Sequence, residues 1–394
     1  MAIRSEINED VLPAQEGEFA PLLLTEETSI WPPVVLAPMA GVTNPPFRRL
    51  CRQMGAGLYV AEMVHSRGLA DRNARSLKMA SFAADESFRS LQIFGADPTE
   101  MATATSFLVE EVGVDHIDIN MGCPVRKITG RGCGSALPAR PRLMGKVLSA
   151  VVQAAGEIPV TTKIRLGLDD DRLTWRDALQ ATTDSGCRWM GVHGRTAQDH
   201  YGGLARWDEI AKVKEASSIP ILGNGDIWEC WDALRMMRQT GCDGVIIGRG
   251  CLGRPWLFRE LAQVFNGQEP DAPPSLGEVT SLLLDHARLL VEYFGDRKGI
   301  LEMRKWCTWY TKGFEGSAGI RQRLQHIDSL DQMAEILAEM DPSLTFPQTA
   351  LRVIRGKRGG DGRQVHLPHQ WLESEEEGGA PPAQHSAAVP WSGG

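Results

Sequence analysis

The feature that most constrains this chain is a regular alternation of short apolar runs with helix-like stretches between Trp31 and about Phe265. The runs are Val34–Met39, Gly57–Val64, Ser90–Gly95, His116–Met121, Val160–Leu166, Trp189–His193, Ile219–Gly223 and Gly244–Gly248. Most are followed by segments with helical periodicity, such as Pro98–Val112, Pro141–Ala155, Trp175–Ser185 and Ile227–Thr240. Largely apolar strands separated by helices form a parallel sheet covered on its faces. Eight such units in about 235 residues fit a closed (β/α)8 barrel. A doubly wound open sheet is the alternative. It would carry its glycine fingerprint after the first strand, whereas the glycine-rich turns here follow the last two.

Outside the barrel the sequence changes character. Residues 1–30 form an N-terminal extension that is acidic rather than apolar or Arg-rich, unlike a signal or transit peptide. Residues 266–277 (NGQEPDAPPSLG) read as a polar linker. Residues 278–355 read as a small helical domain, with amphipathic helices over Glu278–Phe294, Gly299–Lys312 and Ile327–Met340. The tail, 356–394, is rich in Gly, Pro and Ser, carries an acidic run, and is expected to be disordered. No apolar run approaches the ~18 residues of a membrane span. Eight cysteines without CxxC pairing point to a reducing cytoplasm, no disulfide framework and no metal site. A monomer is expected.

Chemistry concentrates at the predicted strand ends, where a barrel builds its active site. The fourth run continues as Asn120-Met121-Gly122-Cys123-Pro124 and presents a thiol at the tip of a glycine turn. Pro124 stops the strand. Strand five carries Lys163 and Arg165, which point the same way at period two. A lone buried lysine there needs an anionic partner. With Gln92 on strand three and His193 on strand six, these side chains form a polar ring suited to the edges of a flavin. The last two strands end in Gly223-Asn224-Gly225-Asp226 and Gly248-Arg249-Gly250. Loops at these positions often hold a phosphate through backbone N–H groups. Pro38 and Met39 stiffen and line the mouth at strand one. Arg131-Gly132-Cys133-Gly134-Ser135-Ala136 reads as a mobile glycine lid carrying a second thiol.

Taken in order, Ala37-Pro38-Met39-Ala40-Gly41-Val42-Thr43, Gln92-Ile93-Phe94-Gly95, Asp118 to Pro124, Gly134-Ser135-Ala136-Leu137, Lys163 to Gly167, His193-Gly194-Arg195-Thr196, Asn224-Gly225-Asp226 and Gly248-Arg249 resemble the tRNA-dihydrouridine synthases, closest to the bacterial subgroups. The resemblance runs from about Val34 to Phe265 and reaches Met303-Arg304-Lys305. It departs at Trp306, where the family has histidine. It implies reduction of a uracil C5–C6 double bond in tRNA by reduced FMN, with NADPH (or NADH) recharging the flavin. It assigns Cys123 as general acid, and Asn120 and Arg165 as uracil contacts. Pro38, Met39, Ala40, Gln92, Lys163, His193, Asn224, Gly225, Asp226, Gly248 and Arg249 would hold FMN, and Arg304 and Lys305 would contact tRNA.

The net charge of −8 opposes a wholly electrostatic RNA binder. Basic charge is nevertheless concentrated late in the chain. From His286 to His326 eight Lys/Arg face four acids, a balance of +4, and from Ala350 to Arg363 five face one, again +4. Trp306, Trp309 and Tyr310 are interleaved, a pattern suited to phosphate tracking with base stacking. Two other readings compete. An FMN-dependent barrel reductase of a free small molecule would need no basic helical domain. A non-catalytic RNA-binding barrel would have no use for Cys123, Lys163 and His193 together.

Overall fold

The computed structural model describes residues 3–55, 57–356 and 364–373. Eight parallel strands close into a barrel in sequence order: β1 (Val34–Leu36), β2 (Leu58–His65), β3 (Ser90–Phe94), β4 (His116–Met121), β5 (Val160–Arg165), β6 (Met190–His193), β7 (Ile221–Asn224) and β8 (Gly244–Ile247). Every neighbouring pair is parallel, and β8 pairs with β1 to close the ring. The expected barrel is therefore present, and the open-sheet alternative is not.

Period two sorts each strand between helix-facing and interior sides. On β4, Ile117, Ile119 and Met121 join the core under the outer helices, while His116, Asp118 and Asn120 alternate with them on the interior side. On β1, β7 and β8 the interior residues Val35, Leu222 and Ile246 form a separate apolar layer with Leu58, Val60 and Trp189. The lower interior is thus apolar and the interior of β3 to β6 is polar. Gly191 on β6 makes room for both, since a Cβ there would meet the Ile246 side chain at 2.5 Å and Lys163 Cγ at 3.4 Å.

The N-terminal extension is part of this architecture. Leu22–Leu23 and Ser29–Ile30 pair as a short antiparallel hairpin just before β1. Leu22, Leu24 and Ile30 pack onto the apolar interior layer, closing the barrel at the start of its strands. Ahead of it, Ser5 and Asn8 bond to Glu229 and Asp232 at the start of the Cys230–Thr240 helix.

After the last barrel helix, Leu257–Phe265, four helices follow: Leu276–Phe294, Asp296–Thr311, Ser317–Leu324 and Leu330–Leu337. Ser275 and Glu278 form a reciprocal capping box that starts the first of them. Trp306, Tyr310 and Met303 turn one face of the second helix inward. Trp306 packs against Phe47 of the barrel at 4.5 Å between ring centroids and against His286 at 4.4 Å. These rings are core, which corrects the expectation that Trp306 and Tyr310 stack on bases; an amphipathic helix buries its aromatic stripe first. No helix among the described residues is long and apolar enough to cross a membrane.

The tail also differs from expectation. Residues 364–373 pack on the barrel: Trp371 is buried, donates its indole N–H to the Ala136 carbonyl at 2.9 Å and lies under the Arg140 guanidinium. A single large aromatic side chain anchors an otherwise polar segment. Residues 357–363 and 374–394, the rest of the expected disordered tail, lie outside the described residues.

Candidate active site

The C-terminal ends of the strands bring most of the predicted residues to one mouth. The strand β4 exit is fixed by Asn120. Its side-chain oxygen accepts the N–H groups of Gly122 (3.1 Å) and Cys123 (2.9 Å), an Asx-type turn that sets the backbone under the thiol. Gly122 crosses β5 closely, and a Cβ there would approach the Ile164 carbonyl carbon at 3.1 Å. Arg165 Nε donates to the Gly122 carbonyl at 3.0 Å, and Ser135 donates to the Cys123 carbonyl through both N–H and Oγ. The thiol thus sits on a loop held from three sides.

The Arg131–Ala136 stretch is not an open lid. Cys133 to Ala136 are buried, and Gly134, at φ +59°, brings its backbone so close to Cys123 that a Cβ would sit 2.6 Å from the Cys123 carbonyl oxygen. Glycine here serves close approach rather than mobility. Burial pushes the Cys133 thiol up to about 12, so it is neither accessible nor ionisable near neutrality. Of the eight cysteines, Cys123 is the one that is not fully buried.

On the neighbouring strand β5, Lys163 donates to Asn224 Oδ1 at 2.8 Å, and Asn224 donates to the Ile246 carbonyl at 2.7 Å. Burial, with Arg165 nearby, lowers the Lys163 ammonium to about 8, and Asp118 partly offsets this. Arg165 is buried and is lowered to about 10 by the same cause, so it stays a cation. Its Nε and Nη1 are spent on the carbonyls of Gly122, Thr196 and His200. His193 stands among Arg165, Lys163, Arg195 and Arg249. Burial and these cations hold it well below the ordinary histidine range, and its imidazole is neutral at pH 7.

Gln92 and Asn120 face each other within the barrel, with Asn120 Nδ2 donating to Gln92 Oε1 at 2.8 Å. Pro38 and Met39 are half-buried at the rim and Ala40 is exposed. Gly225, at φ +123°, packs so tightly against Ala205 and the His193 ring that only glycine fits. The space beside Gly248 is open, with no atom within 4 Å of the position a Cβ would take. Arg249 lies over the rings of Tyr201 and Trp228. Asp226, at φ +57°, gives both carboxylate oxygens to the buried Arg195 (2.8 and 2.9 Å) and accepts the Ala205 N–H.

Two residues that the sequence reading gave no role prove central to this geometry. Arg195 ties Asp226 to the Gly202 and Gly203 carbonyls and so fixes the loop after β6. Asp118 joins Gln92 and Thr161 inside the barrel. Both lie two residues from a predicted site residue on the same strand face or its extension, and period two was the available signal.

The predicted tRNA contacts have partners within the chain. Arg304 donates to the Ile327 carbonyl, and Lys305 bonds the Gly41 carbonyl (2.6 Å) and Glu302. Lys305 thereby joins the helical segment to the loop after β1, where Glu62 also accepts the Gly41 N–H. Of the second basic stretch, Arg352 pairs with Glu229 and Asp232, and Arg355 is buried among main-chain carbonyls. Their charge is structural. Lys357, Arg358 and Arg363 lie outside the described residues. Exposed cations remain at Arg288, Arg297 and Lys298.

A family profile described as Dihydrouridine synthase (Dus) matches residues 35–345. A protein of Mycobacterium tuberculosis named "Probable tRNA-dihydrouridine synthase" is 45% identical over 355 residues, covering 88% of this chain and 91% of its own length. A Pseudomonas aeruginosa protein named "tRNA-dihydrouridine synthase B" is 41% identical over 302 residues, 76% of this chain and 89% of its own. Among solved structures, a histamine dehydrogenase from Rhizobium sp. 4-9 superimposes with a TM-score of 0.51 at 11% identity, covering 86% of this chain and 66% of that one, a likeness of fold alone. The matched span takes in the barrel, the Cys123 loop and all four helices of the helical segment, and on that basis the chain belongs to the dihydrouridine synthase family.

Proposed function

We propose that the protein reduces the C5–C6 double bond of uridines in tRNA, using FMN held in the barrel mouth and NADPH or NADH as reductant. The observation that carries this reading is the half-buried Cys123, held by Asn120, Arg165 and Ser135 at a mouth whose neighbouring strand, β5, is cationic.

The residues fit a flavin mononucleotide. Lys163, Arg165, Arg195 and Arg249 outnumber the nearby acids Asp118, Asp199 and Asp226, which favours a dianionic phosphate and an electron-rich ring edge. The open space at Gly248 and the tight turn at Gly225 let ligand atoms approach backbone N–H groups. Lys163 and Gln92 supply donors for the ring, and Pro38, Met39 and Ala40 line its edge. When bound and reduced, FMN supplies the hydride for C6 of the uracil.

The chain's own residues handle the proton and the charge. Cys123 carries the proton destined for C5. An ordinary thiol, with a pKa of ~8.5, stays mostly protonated at pH 7. Arg165, whose Nη2 is its remaining donor, faces the negative charge that develops on the uracil. Asn120 orients the thiol loop, its oxygen accepting from Gly122 and Cys123 and its NH2 donating to Gln92 and Met63. A cationic mouth and a helical segment with exposed Arg297 and Lys298 suit a polyanionic substrate better than a free small molecule. The test is purification followed by FMN titration and a comparison of substrates. Yellow protein that oxidises NADPH faster with unmodified tRNA than with free uridine supports the proposal. Protein that binds no FMN, or that turns over free uridine equally well, sinks it.

A further inference from the structure

A single chain of buried hydrogen bonds runs through the barrel interior and ends at the Cys123 loop. Its lower arm comprises Ser90 Oγ to His116 Nδ1 (2.7 Å), His116 Nε2 to Thr161 Oγ1 (2.9 Å) and Thr161 Oγ1 to Asp118 Oδ1 (2.6 Å). Its upper arm comprises Gln92 Nε2 to Asp118 Oδ2 (2.6 Å), Asn120 Nδ2 to Gln92 Oε1 (2.8 Å), and the Gly122 and Cys123 N–H groups to Asn120 Oδ1. All eight residues belong to β3, β4 and β5 or to the turn after β4. Ser90, Gln92, His116, Asp118, Asn120 and Thr161 are buried.

Proton accounting fixes the direction of every bond. An ionised carboxylate only accepts. Thr161 has one hydroxyl proton and gives it to Asp118, so His116 must donate from Nε2. Nδ1 is then an acceptor, and Ser90 donates to it. In the other arm, Gln92 turns its NH2 to Asp118, which leaves its oxygen for the Asn120 NH2. The Asn120 oxygen is therefore free to accept the two N–H groups of the thiol loop. Both arms converge on Asp118. Burial pushes its carboxyl up, while the bonds from Thr161 and Gln92 and the charge of Lys163 pull it back toward the ionised form.

We infer that Asp118 is a positioning residue: as the terminal acceptor of this chain, it sets the amide orientations of Gln92 and Asn120 and so fixes the backbone that presents Cys123. This rests on the reading of Cys123 as proton donor. Misplacing a reacting group by about 1 Å can cost roughly 10²-fold in rate. Reversing the Asn120 amide would put its NH2 against the N–H groups of the thiol loop and displace it, and reversing Gln92 would set its NH2 against that of Asn120 and drive the same reversal.

Two substitutions separate acceptor geometry from charge. Asp118→Asn keeps shape and one acceptor. It can offer its oxygen to Gln92 and its NH2 to Thr161 if the lower arm reverses, with Thr161 donating to His116 Nε2, the ring proton moving to Nδ1, and Ser90 accepting. Asp118→Leu keeps volume but offers no acceptor. The His116 tautomer is read by 15N NMR of histidine-labelled holoenzyme, with the signal assigned by its loss in His116→Gln. The ring, lowered to about 3 by burial, stays neutral across pH 6–8 and is readable there. The expected results are an Nε2–H tautomer in the wild type and an Nδ1–H tautomer in Asp118→Asn, with kcat within about fivefold. Asp118→Leu is expected to lose roughly 10- to 100-fold in kcat with KM for tRNA unchanged.

Four results overturn the inference: an Nδ1–H ring in the wild type; an unchanged tautomer in Asp118→Asn with turnover intact; a switched tautomer with turnover lost as in Asp118→Leu, which would assign the effect to charge; or wild-type kcat in Asp118→Leu. Should Asp118→Leu fail to retain flavin, the wild type and Asp118→Asn decide the question alone. The tautomer needs no catalysis for its measurement, so its outcome is independent of the assignment of Cys123. That assignment fails separately if Cys123→Ala keeps full activity.

Discussion

Replacing Lys163 with methionine should make the flavin-free protein more stable while weakening its hold on FMN. The lysine is half-buried against Asn224, and its ammonium is lowered from 10.5 to about 8. At about 1.36 kcal/mol per pH unit, the fold loses ~3 kcal/mol at neutral pH by keeping this group charged. Methionine has similar length and no charge. It forfeits the bond to Asn224 Oδ1, worth ~1.5–3 kcal/mol for a charged donor. The balance is a gain of up to about 1.5 kcal/mol. The sign follows from linkage. The folded pKa is depressed, so between about 8 and ~10.4 the unfolded chain binds more protons and wild-type stability rises with pH. The advantage of Lys163→Met should be largest below pH 8 and gone by about pH 10.5. Urea unfolding of flavin-free wild type and variant at pH 7 and pH 10, with FMN titrations beside them, measures both effects. A variant less stable than wild type by the same amount at both pH values would refute the reasoning. It would mean that the ammonium is adequately solvated in the mouth.

Cys123→Ala should lose ~10²–10⁴-fold in turnover while keeping FMN and tRNA binding, and Cys133→Ala should lose far less; reversed outcomes in a dihydrouridine assay would assign the wrong thiol. Glu86→Gln should cost ~3–5 kcal/mol in urea unfolding, because it strands the buried Arg48 guanidinium that both Glu86 oxygens now hold. Arg297→Ala with Lys298→Ala should weaken tRNA binding and shallow its salt dependence by up to about one unit per lost contact. Arg304→Ala with Lys305→Ala should change binding less than this exposed pair if their contacts to Ile327 and Gly41 are structural; a larger, salt-dependent loss across a salt series would restore them as phosphate ligands.

The barrel was legible because its signal is repeated eight times and each strand carries an apolar outer face. Ile117, Ile119 and Met121 alternate with His116, Asp118 and Asn120, and that period both identifies β4 and separates its structural residues from its chemical ones. The Cys123 loop was legible because a thiol, a glycine and a proline at a strand end have few other uses. What escaped the reading depended on tertiary partners. Leu22, Leu24 and Ile30 flank strands of only two residues, too short to show a period, yet they close the barrel. Arg352 and Arg355 counted as surface charge until Glu229, Asp232 and the carbonyls of Trp309 and Ala350 were seen around them. Trp306 was ambiguous for the same reason, since an aromatic on a helix faces core or solvent according to what packs there. The glycines of Gly132-Cys133-Gly134 suggested motion, but the left-handed Gly134 serves contact with Cys123.

The central claim is that this barrel reduces uridine in tRNA with Cys123 as the proton donor. The most direct measurement incubates the FMN-loaded protein with unmodified tRNA and NADPH, then digests the RNA and quantifies dihydrouridine by mass spectrometry. Wild type is expected to add two hydrogens per modified uridine, at defined positions. Cys123→Ala, still yellow and still reduced by NADPH, is expected to form little or none. Wild-type protein that binds FMN and oxidises NADPH yet leaves every uridine unchanged, or a Cys123→Ala variant that forms dihydrouridine at the wild-type rate, would contradict the account.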